Sequence, residues 1–481
     1  MESVWSKSCQ LPPRPRLEQD LNTEIAVIGA GMAGLLCAHT LAQTGHQVVI
    51  LEAGRVASGQ TRNTTAKITS QHGLLYQELE DSLGFDAAAA YGAANQAAIR
   101  EYRRLVEKLE IDCDFEESSA YVYGSDVDAL AQEAEAAKRL GLPAELVDAP
   151  KVPFPAAGAV RFTGQAQFHP LKFLRAISEP LTVYEQTPVQ AVKNTVLRTP
   201  HGAVRAEKVI FACHYPFLRL PGLYFTRLHQ ERSYVLALET DVRADGMWIG
   251  AEGEKLSLRS WQNLLLLGGG GHRTGENRSG GQYDMLRQKA REFFPGAKEA
   301  AHWSAQDCVT PDGIPYIGQY SAGRPQWYVA TGFGKWGMST SMVSALLLKK
   351  LLEGERPAEA DIFDPGRRGA GMLAGLAKEG GHAVKGLGRS FFSIPKSSAD
   401  QLPPGHGGVV RLRGKKVGAY RAEDGTLYTV NIRCPHLGCQ LEWNPEEKSW
   451  DCPCHGSRFD YQGNLISGPA QSDVKLRTVG T

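Results

Sequence analysis

The stretch TEIAVIGAGMAGLLCAHTLAQTGHQVVILEAG at residues 23–54 decides the fold of the first part of the chain. An apolar strand runs into Gly29, Gly31 and Gly34, a helix-like stretch follows, and a second apolar strand ends at Glu52. In such a unit the first glycine makes the turn, and the second lets backbone N–H groups approach a pyrophosphate at the helix N-terminus. The third glycine allows close helix–strand packing, and the acid about 20 residues on holds a ribose hydroxyl. The order of these features predicts an α/β dinucleotide-binding domain, and Glu52 favours FAD or NAD over NADP.

The whole chain has 481 residues, more than one hydrophobic core usually organises, so two or three domains are expected. Lys and Arg number 53 and Asp and Glu number 52, and this balance argues against nucleic acid as the main partner. Apolar residues at 42% are typical of a folded globular protein. No apolar run reaches the roughly 18 residues of a membrane-spanning helix, and the N-terminus lacks a cleavable apolar core, so we expect a cytoplasmic protein.

Later segments of the sequence favour FAD over NAD. Residues 22–365 resemble the glycine oxidase, sarcosine oxidase and D-amino-acid oxidase superfamily of FAD-dependent oxidoreductases. The resemblance is carried, in the family's order, by VIGAGMAGLLCAHTLA, LEAGRVASGQTRNTTAKITSQHG, TPVQAV, VIFACHYPF and DGIPYIGQY…WYVATGFGKWGMSTS. It implies FAD as the cofactor and two interleaved domains. These are an α/β Rossmann-like FAD-binding domain (about 22–82, 160–218 and 305–365) and an α+β substrate domain (about 83–159 and 219–304).

The same resemblance implies roles for individual residues. Glu52 and Arg55 would meet the adenosine ribose, and Val189 would meet the adenine through its backbone. The residues expected to run past the pyrophosphate and the flavin ring include Thr61, Thr64, Thr65 and Lys67. The residues expected to line the pyrimidine side of the ring are Gly332, Phe333, Gly334, Trp336, Gly337 and Met338. Physical chemistry supports this last role, because a glycine-rich turn that opens a helix can aim N–H groups at the flavin's N1–C2=O. The alternative is a glycine-rich turn before an ordinary helix.

The substrate is less well specified by the sequence. Sarcosine oxidases carry a basic residue just after this glycine turn, and the matching position here is Ser339, so a small N-methyl amino acid is not implied. Lys67, His72 and Lys335 are candidates for substrate or flavin electrostatics. The alternative for each is a structural role, in which a lysine pairs with an anion or a histidine is packed and hydrogen-bonded. Cys308 is out of register with the cysteine to which sarcosine oxidases attach flavin, so structural burial explains it better.

Two loops near the C-terminus contain candidate metal ligands. CPHLGC at 434–439 supplies Cys434 and His436, and CPCHGS at 452–457 supplies Cys452 and His455. Two cysteines on one iron and two histidines on the other is the Rieske [2Fe–2S] arrangement. A structural zinc would more readily show two close cysteine pairs.

Residues 401–481 resemble a Rieske domain over their whole length, which implies a small all-β fold. By that resemblance Cys439 and Cys454 form the disulfide between the cluster loops of respiratory Rieske proteins. A disulfide is unexpected in a reducing cytosol, and shielding by the loops would keep it oxidised. In those proteins the second pair of ligands is followed by Gly-Ser and then a tyrosine; here Ser457 is kept and Phe459 replaces the tyrosine. One hydroxyl donor fewer predicts a lower potential.

Residues 366–400, rich in glycine and basic residues, are expected to form a linker packed on the flavoprotein surface. A membrane-surface segment is the alternative, because cations coincide there with Phe391 and Phe392.

The combination predicts a dehydrogenase that oxidises an amine or amino-acid-like substrate with FAD and passes electrons through the cluster to an external one-electron acceptor. In one alternative the electrons flow in the opposite direction: an external donor reduces the cluster, and the flavin reduces a substrate. Another is a non-enzymatic redox sensor, which would need no substrate pocket.

Overall fold

A computed structural model describes residues 2–148, 150–367 and 398–476, so the expected linker at 366–400 lies almost wholly outside the described residues. The helices described, numbered α1 to α9 in chain order, are Val4–Ser8, Met32–Ala42, Tyr76–Leu83, Phe85–Lys108, Val127–Arg139, Pro170–Ser178, Gln282–Phe293, Gly337–Leu352 and Ala360–Phe363. The strands described, numbered β1 to β26, are Leu21–Asn22, Ile25–Ile28, Val48–Leu51, Lys67–Ile68, Glu116–Gly124, Ala144–Val147, Gly158–Gln167, Thr182–Tyr184, Ala191–Lys193, Val196–Thr199, Gly202–Arg205, Lys208–Phe211, His229–Glu239, Met247–Gly250, Ser257–Trp261, Leu264–Arg273, Lys298–Val309, Tyr316–Gln319, Trp327–Thr331, Gly407–Leu412, Lys415–Arg421, Leu427–Val430, Glu442–Asn444, Ser449–Asp451, Arg458–Asp460 and Leu465–Ser467.

A six-stranded sheet in the order β18-β19-β12-β2-β3-β8 forms the centre of the dinucleotide-binding part. Its strands are parallel except for the antiparallel pair β18 and β19 at one edge. Every residue of β2 is buried, as expected for a parallel strand covered on both faces. Helix α2, which follows β2 directly, packs against α8. The α/β Rossmann-like fold predicted from residues 23–54 is therefore confirmed.

A nine-stranded sheet forms the second layer of the flavoprotein. Its main order is β17-β13-β16-β15-β14-β5-β7-β4, and β6 pairs with β7. Helices α4, α5 and α7 lie within residues 83–159 and 219–304, so these stretches have the predicted mixture of helix and strand. Within residues 2–148, 150–367 and 398–476 no helix combines the length and the apolar content that crossing a bilayer requires.

The C-terminal part is a small all-β unit of two antiparallel sheets, β20-β21-β22 and β23-β24-β25-β26. Strands β21 and β22 meet at a tight turn in which Gly425 has φ of +85° and the Asp424 side chain accepts from the Thr426 N–H. Trp450 and Phe459 are fully buried in the core of this unit. The small all-β fold predicted for the C-terminal part of the chain is therefore confirmed.

Candidate functional site

The glycine turn after β2 has the close packing that a dinucleotide-binding turn requires. Gly29 has φ of +105°, and a Cβ there would lie 2.6 Å from the carbonyl oxygen of Ala212. A Cβ on Gly34 would lie 1.9 Å from the Gly29 oxygen, so only glycine lets α2 approach β2 so closely. Gly31 is the N-cap of α2, and a Cβ there would come within 3.3 Å of Thr61 Oγ1.

Glu52 is fixed at the end of β3 by the backbone. Its carboxylate accepts from the Ala30 N–H at 2.8 Å and from the Gly54 N–H at 2.7 Å. Burial raises the pKa of Glu52, and these two hydrogen bonds oppose the rise. Arg55 is half exposed and its Nε lies 3.3 Å from the carboxylate of Glu185. The two residues expected at a ribose therefore differ, since Glu52 is held rigidly and Arg55 is open to solvent.

Three buried side chains hold the segment 63–66, which leads into β4. Trp5 and Trp303 donate from their indole Nε1 atoms to carbonyl oxygens of this segment at 2.7 and 2.9 Å. The Arg259 guanidinium donates to two further carbonyl oxygens at 2.8 Å each. Sequence reasoning missed these three residues, because they come from distant parts of the chain and carry no local motif.

The glycine turn at 332–338 precedes α8. Gly332 has φ of +76°, and a Cβ on it would lie 2.4 Å from a side-chain methyl group, so this position requires glycine. Lys335 also has a positive φ, +75°. The Trp336 indole stacks on the imidazole of His72 with ring centroids 4.6 Å apart. The turn thus joins the start of α8 to the segment that follows β4.

A cavity of about 1550 Å³ is lined by residues from the six-stranded sheet, the nine-stranded sheet and the C-terminal unit. The predicted site residues on its wall are Gly29, Gly31, Glu52, Thr61, Thr64, Thr65, Lys67, His72, Val189, Phe333, Gly334, Lys335, Trp336, Gly337 and Met338. Gly34, Arg55 and Gly332 do not lie on the wall. Pockets for one small ligand are about 300–1,000 Å³, so this cavity has room for a dinucleotide and a substrate together.

Lys67 is a cation on the cavity wall without a carboxylate partner among the described residues. Its Nζ donates to the Trp248 carbonyl oxygen at 3.1 Å and to the Ser257 hydroxyl. An ammonium has three N–H donors, so one remains for a further acceptor. Burial, and then the nearby charge of Arg259, lower the pKa of Lys67 to about 7. An anion bound in the cavity would stabilise its charged form.

Both ring nitrogens of His72 are engaged by protein groups. Its Nδ1 lies 2.6 Å from the Tyr91 hydroxyl, and its Nε2 lies 2.9 Å from the Thr69 carbonyl oxygen and 3.0 Å from Ser339 Oγ. Burial lowers the pKa of His72 to about 3, against the opposing effect of the Thr69 hydrogen bond. A neutral imidazole with both nitrogens engaged favours the structural alternative for this residue.

Lys335 forms an ion pair with Glu231 at 3.0 Å and is partly exposed. Hydrogen bonding with His229 and the charge of Lys335 hold the pKa of Glu231 at about 2, against the effect of burial. Asp307, opposite Glu231 on β17, has its pKa raised to about 6 by burial. Cys308 is buried and also lines the cavity, and burial raises the pKa of its thiol to about 12.

The two cluster loops, 434–439 and 452–457, bring their cysteines and histidines together. The Nδ1 atoms of His436 and His455 are buried without a hydrogen-bond partner. The Cys434 and Cys452 thiols are hydrogen-bonded to each other, which lowers the pKa of Cys434 and raises that of Cys452. Buried polar atoms normally have partners, so two orphaned imidazole nitrogens beside two thiols fit a metal cluster.

Cys439 and Cys454 form a disulfide that joins the two loops. Ser457 hydrogen-bonds to Cys434, which lowers the thiol pKa, and its Oγ accepts from the Ala470 N–H at 3.0 Å. Phe459 is fully buried in the core of the unit, so a donor is present toward one sulfur at Ser457 and the phenyl ring provides none.

The flavoprotein covers the histidine side of the cluster loops. His436 and His455 are only 5% and 4% exposed, and the Phe225 ring lies 6.1 and 6.0 Å from their rings. Gln230 and Gln306 donate from their Nε2 atoms to carbonyl oxygens of the second cluster loop at 2.7 and 2.9 Å. Both loops are therefore held directly against the flavoprotein.

A buried ion cluster fastens the same interface. Arg232 of β13 donates from Nε to the Glu447 carboxylate at 3.0 Å, and the two side chains are 2% and 4% exposed. Arg458 lies 3.0 Å from both Glu447 and Asp451. Burial alone would raise the pKa of Glu447, but the two arginines hold it at about 2. Residues 465–471 of the C-terminal unit complete the contact by lining the large cavity.

The interface residues had little signal in the sequence. Phe225, Gln230 and Gln306 belong to no motif, and nothing local shows that they meet residues some 150 to 230 positions away. Arg232 stands in the strand HQERSYVLALE, two residues before an apolar run, and a charge in a strand that continues into the core could have suggested a buried ion pair. Its partner could not be inferred.

Comparison with known proteins agrees with this geometry. Residues 24–351 match the family DAO, FAD dependent oxidoreductase, and residues 393–478 match the Rieske [2Fe-2S] domain. A protein of Bacillus subtilis (strain 168), named as a Rieske 2Fe-2S iron-sulfur protein, YhfW, is 36% identical over 98% of this chain and 97% of its own length.

Two further similarities concern the flavoprotein part alone. The gamma-glutamylputrescine oxidoreductase of Escherichia coli (strain K12) is 28% identical over 42% of this chain and 51% of its own length. The crystal structure of glycine oxidase from Geobacillus kaustophilus superposes with a TM-score of 0.62 at 21% identity, over 72% of this chain and 99% of that one. This structural likeness shows the shared fold.

Proposed function

Because the chain belongs to the FAD dependent oxidoreductase family and carries a Rieske [2Fe-2S] domain that binds a cluster, we propose that it oxidises an amine or amino-acid-like substrate and delivers the electrons to an external one-electron acceptor. When bound, FAD supplies two-electron chemistry at a C–H next to nitrogen, and the cluster supplies one-electron steps. The names of the gamma-glutamylputrescine oxidoreductase and of glycine oxidase support a nitrogen-containing substrate. We also place the protein in the cytoplasm.

One observation carries the proposal. The C-terminal unit is fastened so that His436 and His455 face the flavoprotein and residues 465–471 form part of the cavity wall. Holding two redox centres in one docked unit makes electron transfer between them effectively intramolecular. The large cavity, with room beside a dinucleotide, supports an enzyme over a sensor without a substrate pocket.

The chain's own residues have distinct tasks in this proposal. The Gly29 to Gly34 turn and Glu52 would hold the dinucleotide, and the turn at 332–338 with the N-terminus of α8 would supply N–H groups to the flavin. Lys67 binds an anionic group of the substrate with its remaining N–H donor. His72 positions Trp336 by stacking, and Lys335 orients Glu231 at the wall. An amine that enters neutral needs no side chain as a base.

The cluster loops complete the assignment. Cys434 and Cys452 would hold one iron, and His436 and His455 would hold the other through the Nδ1 atoms that have no protein partner. The disulfide between Cys439 and Cys454 fixes the two loops relative to each other.

The proposal is tested by anaerobic mixing of the purified protein with amines, amino acids and hydroxy acids, while flavin absorbance and the cluster's EPR signal are followed. We expect a nitrogen-containing substrate to bleach the flavin and then reduce the cluster. The matched control is His455→Ala, in which the same substrate should bleach the flavin without the Rieske EPR signal. Bleaching only by a reduced carrier protein or a reduced pyridine nucleotide would instead support the reverse direction of electron flow.

A further inference from the structure

The first cluster loop reaches the surface of the molecule. Pro435 is exposed and Leu437 is half-buried, although His436 between them is buried. Arg219 of the flavoprotein donates to the carbonyl oxygens of Pro435, at 3.4 Å, and of His436. Solvent therefore lies one residue away from a proposed cluster ligand, on the side of the loop next to Arg219.

Large apolar side chains are exposed close to Arg219 in the chain. Leu220 is 72% exposed and Leu223 is 45% exposed, and both follow Arg219 in the same flavoprotein segment. Apolar side chains grouped at a surface and rimmed by charges are typical of a protein interaction site.

A basic hairpin is connected to the same loop. The β20–β21 hairpin carries Arg411, Arg413, Lys415 and Lys416 around its tip, and residues 401–422 include no Asp or Glu. Lys416 Nζ donates to the Gln440 side chain at 2.6 Å. Gln440 in turn forms a β-bridge with Arg433, the residue before Cys434. The basic hairpin is thus connected directly to the cluster loop.

We name these residues the exit surface: Arg219, Leu220, Leu223, Arg411, Arg413, Lys415, Lys416, Arg433 and Pro435. We propose that the exit surface docks an acidic one-electron carrier protein, which accepts single electrons from the cluster; this proposal rests on the function proposed above. Each transfer would move one electron from the reduced cluster to the carrier, so that the cluster is oxidised and the carrier reduced by one electron, with no bond made or broken. The charge argues for an acidic partner, since opposite charges steer association and fix the register of a complex.

The position of the surface argues for a redox partner. His436 and His455 are closed off by Phe225, so a carrier cannot meet the imidazole edge while the domains stay docked. On the exit surface the exposed Pro435 precedes the ligand His436 directly, and Arg219 contacts the carbonyl oxygens of both residues. An anionic membrane would also attract cations and leucines. The test must therefore distinguish binding to a carrier protein from binding to a membrane.

The probe is an acidic plant-type [2Fe–2S] ferredoxin, and basic mitochondrial cytochrome c is its opposite-charge counterpart. Binding to the holoprotein is measured by isothermal titration calorimetry at low and at physiological salt. The test variant is Arg411→Glu/Lys415→Glu. The matched control is Arg243→Glu/Lys298→Glu, which makes the same change in net charge at exposed positions on the far end of the substrate sheet. Leu220→Ser tests the apolar contribution.

We expect ferredoxin to bind the wild type and the control alike, and to bind the test variant at least about tenfold more weakly at low salt. Leu220→Ser should weaken ferredoxin binding at both salt concentrations, because an apolar contact is not screened. Equal binding by the test and control variants, tighter binding of cytochrome c, or binding only to anionic phosphatidylserine vesicles would overturn the proposal. Ferredoxin binding without flavin bleaching by any amine would remove the proposed reaction and leave the docking site standing.

Discussion

The ion cluster between the domains allows a quantitative prediction for Glu447→Gln. In the wild type the buried charges of Arg232, Glu447, Arg458 and Asp451 sum to zero. The substitution keeps the shape of the side chain and removes its charge, so Arg232 loses its only carboxylate partner in the cluster. Breaking a buried ion pair by removing one partner costs about 3–5 kcal/mol. Because about 1.4 kcal/mol is a factor of ten in an equilibrium constant, the undocked population should rise by about 100-fold or more.

Undocking is measured by the rate at which diethyl pyrocarbonate modifies the peptide that contains His455, read by mass spectrometry. That ring is buried against Phe225, so modification at a fixed pH follows the open population. His201, exposed on a distant turn, is the internal reference. Arg232→Met should open the interface less than Glu447→Gln, because Glu447 keeps Arg458. The double variant Arg232→Met/Glu447→Leu removes both charges and should fall near the wild type. A Glu447→Gln rate equal to the wild-type rate, or a double variant as fast as Glu447→Gln, would refute the reasoning.

Three further predictions concern the FAD site, the substrate cavity and the cluster. Gly31→Val should abolish FAD binding, because its side chain would crowd Thr61 and occupy the place of the pyrophosphate; a full flavin spectrum after denaturation of the purified variant would contradict this. Lys67→Met should raise the KM of a carboxylate-bearing substrate by about tenfold or more and leave that of the matching amine without a carboxylate unchanged. Since the pKa of Lys67 is lowered to about 7, wild-type affinity for the carboxylate should fall as pH rises through that value, and a flat pH profile would show that Lys67 does not bind it. Phe459→Tyr should raise the cluster potential in a redox titration followed by EPR, because a hydroxyl toward sulfur stabilises the reduced cluster, and an unchanged potential would assign the ring to packing alone.

The parts of the fold that could be predicted are those fixed by contacts near in sequence. The strand, the glycine turn and α2 lie within about 30 residues. The requirement for glycine at position 34 is also local, because a Cβ there would lie 1.9 Å from the Gly29 oxygen. The cluster loops are also short motifs, and each brings one cysteine and one histidine together. In both cases the residue types at fixed spacing limit the chain to few structures.

The side-chain environment of the cavity could not be predicted in the same way. Lys67, His72 and Lys335 were equal candidates in the sequence, and their partners distinguish them. His72 contacts Tyr91 and Ser339, Lys335 pairs with Glu231, and Lys67 keeps a donor for the cavity. These partners lie as far as 267 residues away in the chain, so no spacing rule connects them. From the sequence alone, a histidine with a structural role cannot be distinguished from a histidine with a role in catalysis.

The docking of the domains has a consequence for electron flow that neither motif contains. The imidazole side of the cluster loops faces Phe225 and the flavoprotein, and the surface open to other proteins lies beside Pro435. Electron entry and exit would therefore use different sides of one loop pair, and the Rieske unit would not have to swing between two partners. The buried ions at Arg232 and Glu447 favour this fixed arrangement, because moving the unit would expose an interface whose charges are matched only when it is closed. If the unit did move in each turnover, Glu447→Gln would be expected to speed delivery to a carrier; in the fixed arrangement the same substitution slows it.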